Sequence, residues 1–187
     1  IVFLSAFLFS QEKKLPIDTL VVTQHKTTIK GQTINYEAQT GRIPVWNGDG
    51  KPIASLFFTY YKRTNISSNT TRPLVFSFNG GPGAGSLWMH MGYTGPRMLK
   101  VDAEGYPVQP YGFKSNPYSI LDVADIVFVN PVNVGYSRIV EYEGKKESGK
   151  TFFGVNQDIK YLAEWISTFI SRKNRWDSPK YLIGESY

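Results

Sequence analysis

The stretch Tyr181-Leu182-Ile183-Gly184-Glu185-Ser186-Tyr187 decides how the rest of the chain is read. An apolar triplet, Tyr181 to Ile183, runs straight into Gly-Glu-Ser-Tyr. With the triplet as a buried strand, Gly184 lets the backbone turn sharply and lifts Ser186 out of the sheet, the geometry of a strained strand-to-helix nucleophile elbow. Taken alone the pattern is weak. At ordinary glycine and serine usage a Gly-x-Ser arises about once by chance in a chain of this length, and Gly135-Tyr136-Ser137 is a second instance. Context has to decide.

The nearest context is Leu74-Val75-Phe76-Ser77-Phe78, an almost wholly apolar run of the kind buried on both faces of a parallel sheet. Asn79-Gly80-Gly81-Pro82-Gly83-Ala84-Gly85-Ser86 follows at once. Open α/β sheets place their ligand sites at the carboxyl ends of strands. Adjacent glycines also let main-chain N–H groups converge on one point, where they can hold a developing oxyanion. A phosphate loop is disfavoured, because no Gly-Lys-Ser/Thr follows and Pro82 removes a donor. On pattern alone, an anion nest and a plain tight turn both stay open.

Further out, Leu20 to Ile29, Gln32 to Thr40 and Ser55 to Tyr61 read as strands, with turn chemistry at Lys30-Gly31 and Gly48-Asp49-Gly50. They form an antiparallel opening region. A polar loop from Lys62 to Arg72 precedes Leu74. Between Gly92 and Pro117 the Gly and Pro punctuation predicts loops and a short hairpin rather than a helix. Ile126 to Val129 is a second buried strand. From Phe152 the apolar positions Phe152, Val155, Ile159, Leu162, Ile166 and Phe169 alternate steps of three and four, which predicts an amphipathic helix with one continuous packing face. Arg172, Lys173 and Arg175 at its end suit the helix dipole. Strand, crossover helix and strand together make an α/β sheet.

The 187 residues are 41% hydrophobic and 15% aromatic, enough for one domain with a sizeable core. The net charge of +6 comes from scattered residues, not a basic stripe, so no nucleic-acid partner is expected. There are no cysteines, which excludes a disulfide framework, a thiol nucleophile and thiolate metal sites. Of the two histidines, His25 and His90, neither has metal-ligand spacing, so no metal is expected.

Residues 1–10 read as the remnant of a secretory signal. Ile1 to Phe9 is nearly all apolar and turns polar at Ser10-Gln11-Glu12-Lys13-Lys14. The run is too short to span a bilayer, and the alternative is a buried N-terminal strand. Export without disulfides suits a periplasmic or extracellular bacterial setting better than a eukaryotic secretory route. The sequons at Asn65 and Asn69 pull weakly the other way. Residues 15–187 then form the N-terminal part of one α/β domain.

Four ordered blocks carry a resemblance. Asn79-Gly80-Gly81-Pro82-Gly83, Asn116-Pro117-Tyr118-Ser119, Asn130 to Ser137 and Gly184-Glu185-Ser186-Tyr187 resemble the motifs of the serine carboxypeptidases, peptidase family S10. The resemblance covers a little over half the chain. It implies an α/β-hydrolase fold, incomplete here, with the strand Leu74 to Phe78 beside Tyr181 to Ile183. It implies Ser186 as nucleophile and the backbone N–H groups of Gly81 and Tyr187 as oxyanion hole. It also implies Asn79, Gly80 and Glu185 as the pocket for the C-terminal carboxylate of a peptide or protein substrate, with no cofactor. Ser137 would be a loop residue near the cleft. Two carboxylates, Glu185 and the substrate terminus, repel unless they share a proton, which favours mildly acidic pH.

Several positions depart from the family pattern. Ser77 stands where a Trp is usual, Ala84-Gly85 replace a Cys-Ser pair, and Tyr93 stands where many members carry a second glutamate. The combination is more like the bacterial-type branch. In this fold the triad order is Ser, acid, His, so the acid and base are expected after Tyr187, and this stretch alone is expected to be inactive. Asp122 and Asp125 read as turn or capping residues. The reading is a serine-type carboxypeptidase. The alternatives are an acyltransferase or esterase on the same scaffold, and a non-catalytic envelope binding module.

Overall fold

The structure is a computed structural model that describes residues 16–67 and 71–187. The signal-like residues 1–10 and the sequon residue Asn69 lie outside the described residues.

In chain order the elements are β1 (Thr19–Ile29), β2 (Gln32–Trp46), β3 (Pro52–Arg63), β4 (Leu74–Phe78), β5 (Arg97–Leu99), β6 (Phe113–Ser115), β7 (Asp125–Val129), β8 (Arg138–Ile139), β9 (Glu141–Tyr142), β10 (Lys145–Lys146), α1 (Val155–Arg172) and β11 (Lys180–Gly184). The main sheet runs β1-β2-β3-β7-β4-β11, with β8 on the end of β3. The first three strands pair antiparallel, and β7, β4 and β11 are parallel to one another. All three predicted opening strands form, and β2 runs past Thr40 to Trp46. Lys30 and Gly31 both have positive φ, 48° and 77°, as a two-residue hairpin turn of right-handed twist requires.

Strands β4 and β7 are buried because both faces of the sheet are covered there, whereas the triplet Tyr181 to Ile183, expected to be a buried strand, lies in β11 at the end of the sheet with Tyr181 and Leu182 55% and 69% exposed. Every residue of β7 is buried. Val127 and Val129 face one cluster with Phe58, Tyr60 and Phe76, while Ile126 and Phe128 face another with Ile29, Ile34 and Met89. The first cluster is closed by α1. Burying an aromatic side chain such as Phe169 contributes about 1.5–3 kcal/mol.

The helix forms where expected, but its buried face differs from the predicted stripe. Tyr161, Trp165, Phe169 and Ile170 are its buried residues, while Val155 and Ile159 are 58% and 62% exposed. Trp165 stacks on Phe169 at 5.3 Å, and Phe58, Tyr60 and Phe76 meet Phe169 edge-on. The aromatic rings carry more apolar area than the aliphatic stripe and take the sheet-facing position. Phe152 is buried, but in the turn before the helix. Arg175 is not a dipole partner of α1 either, because it is only 3% exposed and turns inward.

Its destination is Asp125, the first residue of β7, which is fully buried and not a surface turn residue as the sequence suggests. Asp125 accepts from Arg175 Nη1 at 2.7 Å, from Arg72 Nε at 2.8 Å and from the Arg63 backbone N–H at 3.0 Å. This cluster ties the loops before β4, β7 and β11 together at the amino ends of the three parallel strands. The 97–115 region forms the expected hairpin of β5 and β6. The preceding π-helical turn Met89–Thr94 is not predicted by the glycine and proline pattern.

Candidate active site

Strands β4 and β11 lie side by side and parallel, with Gly184 paired to Phe78, so the segments that follow them leave the sheet at the same end. The neighbouring placement expected of Leu74–Phe78 and Tyr181–Ile183 is thus observed. The Glu185 N–H donates to the Phe78 carbonyl at 3.3 Å, which continues the pairing one residue beyond the strands.

The two turns are in contact. A Cβ built on Gly80 would lie 2.5 Å from the Glu185 carbonyl oxygen and 2.9 Å from Ser186 Cβ, and closer still to the Tyr187 amide nitrogen. Only a glycine allows the glycine-rich turn to reach the Ser186 segment. Gly81 and Gly83 have φ of 123° and 95°, conformations that side-chain-bearing residues avoid. The turn is closed by Ala84 N–H donating to the Gly80 carbonyl at 3.2 Å.

The sharp bend falls on a different residue from the one expected. Gly184 is the last residue of β11 and a Cβ there would meet nothing within 4 Å, whereas Ser186 itself has φ of 64°. A non-glycine residue held in the left-handed region stores strain of roughly 1–3 kcal/mol, which the surrounding structure has to offset. Ser186 is exposed. The bend that follows β11 is thus carried by the serine and not by Gly184.

Asn79 is 6% exposed and its orientation is fixed. Its Oδ1 accepts from the Met89 N–H at 3.0 Å, which leaves its amide NH₂ to donate to Glu185 Oε2 at 3.5 Å. Asn79, Gly80, Gly81, Glu185, Ser186 and Tyr187 therefore gather at one end of the β4/β11 pair. The Tyr187 hydroxyl donates to Asp158 Oδ2 at 3.3 Å, which joins the elbow to the first turn of α1. Sequence reasoning missed Asp158. No local pattern in the sequence marks it, because its partner Tyr187 lies 29 residues away.

The other motif blocks act as supports. Asn130 Oδ1 accepts from the Ser86 N–H at 2.9 Å, and the Ser86 hydroxyl donates to the Val129 carbonyl at 2.6 Å, anchoring the far end of the glycine turn. Ser137 is fully buried, donates to the Asn130 carbonyl at 2.8 Å and accepts from the Phe57 N–H at 2.8 Å. Asn116 Nδ2 bridges the carbonyls of Tyr93 and Gly95 at 2.7 and 2.9 Å, and Ser119 Oγ donates to the Thr94 carbonyl at 2.7 Å. Ser77 is fully buried, and its hydroxyl has no hydrogen-bond partner among the described residues.

Both histidines are occupied elsewhere. His25 stacks on Tyr36 in the β1/β2 hairpin, five strands away from β11. His90 stacks on Phe128 at 4.3 Å and pairs with the Tyr61 hydroxyl at 2.7 Å, and burial lowers its pKa from 6.5 to about 4. Asp122 pairs with Lys30 at 2.7 Å. Asn65 is held at both ends, its amide donating to the Thr33 carbonyl at 3.1 Å while its oxygen accepts from the Asn35 N–H at 3.2 Å.

A parallel strand pair ending in a glycine turn and a strained, exposed serine defines the α/β-hydrolase class. The family description "Serine carboxypeptidase" matches residues 29–187, and the chain belongs to that family. It is 33% identical over 140 residues to serine carboxypeptidase-like 36 of Arabidopsis thaliana, covering 73% of this chain and 26% of that protein. It is 29% identical over 136 residues to serine carboxypeptidase S10 family member 1 of Dictyostelium discoideum, covering 72% of this chain and 29% of that protein. Among solved structures, the crystal structure of Kex1(delta)p, a prohormone-processing carboxypeptidase from Saccharomyces cerevisiae, superposes with a TM-score of 0.61 at 22% identity. The superposition covers 82% of this chain and 31% of that one, and it shows the shared fold. The chain thus spans between a quarter and a third of the length of these relatives.

Proposed function

We propose that the whole protein is a serine-type carboxypeptidase that releases C-terminal residues from peptides through an acyl-enzyme on Ser186. One observation carries this reading: Gly80 packs directly on the Glu185–Tyr187 backbone, which brings the glycine turn against the strained, exposed serine. In the proposed reaction Ser186 Oγ bonds to the carbonyl carbon of the last peptide bond while its proton passes to an imidazole base. The charge on the carbonyl oxygen is held by the N–H groups of Gly81 and Tyr187. The amine leaves with the transferred proton, and water then cleaves the ester by the same steps in reverse. Neither His25 nor His90 is the base, since each ring is engaged within the sheet packing.

The Asn79 amide and the Glu185 carboxyl form the clamp for the substrate's terminal carboxylate. Asn79 is locked by Met89 with its donor face toward Glu185, so the pair offers an N–H and a proton-sharing oxygen to an incoming carboxylate. The substrate is a peptide or protein chain with a free C-terminus. The apolar run Ile1 to Phe9 and the lack of cysteine support an exported protein, periplasmic or extracellular, of a bacterial envelope.

The test is fluorophosphonate labelling of the full-length protein, with its Ser186→Ala variant as control, together with amino-acid release from a peptide. Labelling that is lost in the variant and accompanied by release of the terminal residue supports the reading. Unlabelled protein that binds but does not cleave peptides overturns it.

A further inference from the structure

Strand β1 is the outer strand of the sheet, at the opposite end from β11 and the elbow. It precedes the residues that match the family, apart from Ile29. Among the described residues it pairs with β2 alone, in unbroken register from Thr19 to Ile29.

The pairing fixes which backbone groups the free edge presents. Lys26 stands opposite Asn35, whose N–H donates to Asn65 Oδ1 at 3.2 Å and whose carbonyl accepts from the Thr64 N–H at 2.8 Å. Both groups are spent on the β3 side, so Lys26 and Asn35 exchange no backbone bonds. Antiparallel pairs alternate in this respect. Leu20, Val22, Gln24 and Lys26 therefore turn their N–H and carbonyl groups outward.

Long edge strands are ordinarily blunted by lysine, proline or a bulge. From Thr19 to His25 this one has none of them, and the run carries no charge at pH 7. Leu20, Val21 and Val22 are 51%, 64% and 46% exposed. An apolar edge of outward backbone groups is a template for another strand. The charges at its two ends select which strand. Asp18 precedes the run and Lys26 closes it, both exposed. Asp18 holds Arg172 at 2.8 Å, and a carboxylate has acceptor sites for a further cation. Lys26 has no ion-pair partner among the described residues. A second β1 laid antiparallel and centred on Val22 sets Leu20 against Gln24, Val22 against Val22, and each Asp18 against the other copy's Lys26. The strand is complementary to itself in that register, and a two-fold pairing closes with two copies.

We infer that β1 is a dimer edge, through which two copies of the protein join their sheets by antiparallel pairing centred on Val22. The junction lies at the far end of the sheet from Ser186, so its failure leaves the carboxypeptidase reading untouched.

The experiment is sedimentation velocity of the full-length protein over about 1–100 μM, the range in which a modest interface dissociates. A monomer–dimer equilibrium is expected, and Val22→Pro should raise its Kd at least about tenfold. The Val22 N–H faces the free edge, so proline there removes no bond to β2 while its ring takes the partner's place. Should that variant fail to fold, Val22→Lys sets like charges opposite each other and should raise the Kd in the same direction. Cysteine substitution reads the register, since the 187 residues contain no cysteine. Under mild oxidation Val22→Cys should form a covalent dimer beyond any seen in the unmutated protein. Leu20→Cys should not, because its two copies would lie about 13 Å apart, too far for a disulfide. A protein that stays monomeric over the whole range overturns the inference, and slow amide exchange at Leu20, Val22 and Gln24 in that monomer would give the edge to another segment of the same chain. A dimer whose Kd neither substitution moves, or one that links through Leu20→Cys in place of Val22→Cys, overturns it as well.

Discussion

The backbone of Gly80 lies against that of Tyr187 with no room between them for a side chain: a Cβ on residue 80 would overlap the Tyr187 amide nitrogen and sit 2.5 Å from the Glu185 carbonyl oxygen. The nearest neighbours it would strike are backbone atoms of the segment that directly follows the β4/β11 pair, with Ser186 Cβ beside them, and none can rotate away. Gly80→Ala therefore pushes the glycine turn off the elbow. Fluorophosphonate labelling of the full-length variant is expected to slow by about 10²-fold or more, the scale of losing an oxyanion donor. Gly48→Ala, in the turn between β2 and β3, is the matched control. Its Cβ meets open space, and the melting temperature and labelling rate should stay near those of the parent. Equal effects from both substitutions would show that the contact does not matter.

Ser186 carries its strain in the backbone, at φ of 64°. Removing the side chain in two ways separates strain from chemistry. Ser186→Gly and Ser186→Ala both abolish labelling, but only glycine occupies the left-handed region freely. Ser186→Gly should be the more stable of the two by about 1 kcal/mol, read as a higher denaturation midpoint. The reverse order would mean that the elbow is relaxed in solution.

Much of this arrangement was legible in the sequence because it rests on short-range chemistry. Alternation of β-branched and aromatic residues marked β1 to β3, the apolar runs marked β4 and β7, and glycine spacing marked the turn that meets Ser186. Two features were not fully legible. The helix face was legible only in part: Leu162, Ile166 and Phe169 of the predicted stripe pack on the core, but periodicity weights Val155 and Ile159 like any apolar residue, while packing buries the rings of Tyr161 and Trp165 instead. Asp125 was read as a turn residue because three of its partners, Tyr60, Arg72 and Arg175, lie 65, 53 and 50 residues away. Long-range ion pairing leaves no local pattern. The same holds for Asp158, whose bond to Tyr187 spans 29 residues.

The Asp125 cluster is a stability element. Asp125→Asn leaves Arg72 and Arg175, both nearly or fully buried, facing a neutral amide. Stranding buried charge costs about 3–5 kcal/mol, so urea denaturation of the full-length variant should show a midpoint well below that of the parent. A loss under 1 kcal/mol would mean that water reaches the arginines and the cluster is not sealed.

His90 makes stability depend on pH. Its pKa is 6.5 when unperturbed and about 4 in the fold, lowered by burial against Phe128 and Tyr61. A group whose folded pKa is depressed binds protons more readily in the unfolded chain, so its contribution is complete above pH 6.5 and is lost as pH falls toward 4. The loss approaches roughly 3 kcal/mol at the bottom of that window. Replacing His90 with Gln, which keeps an acceptor for the Tyr61 hydroxyl, should flatten the melting temperature between pH 7 and 4.5 relative to the parent. Parallel curves for the two proteins would place the acid sensitivity elsewhere.

The carboxylate clamp predicts a pH dependence of the opposite kind, in activity. Asn79 offers an N–H and Glu185 an oxygen 3.5 Å from it, so a substrate carboxylate entering the clamp lies close to the Glu185 carboxyl. Two carboxylates at such a distance bind best with one proton between them, and affinity falls as the pH rises and that proton is lost. Glu185→Gln supplies a permanent donor that needs no proton from solution. The variant's kcat/KM should be lower than the parent's at acidic pH, and its optimum should move upward, with the change residing in KM because the clamp holds substrate and transition state alike. The measurement is the pH profile of amino-acid release by both full-length proteins on one peptide, alongside the same peptide with its terminus amidated. The amide has no carboxylate to share a proton, so the parent should lose its acid preference on it. An optimum that fails to rise in the variant, or an amidated peptide that keeps the parent's acid preference, would assign the carboxylate to other residues and leave Glu185 a surface acid of the elbow.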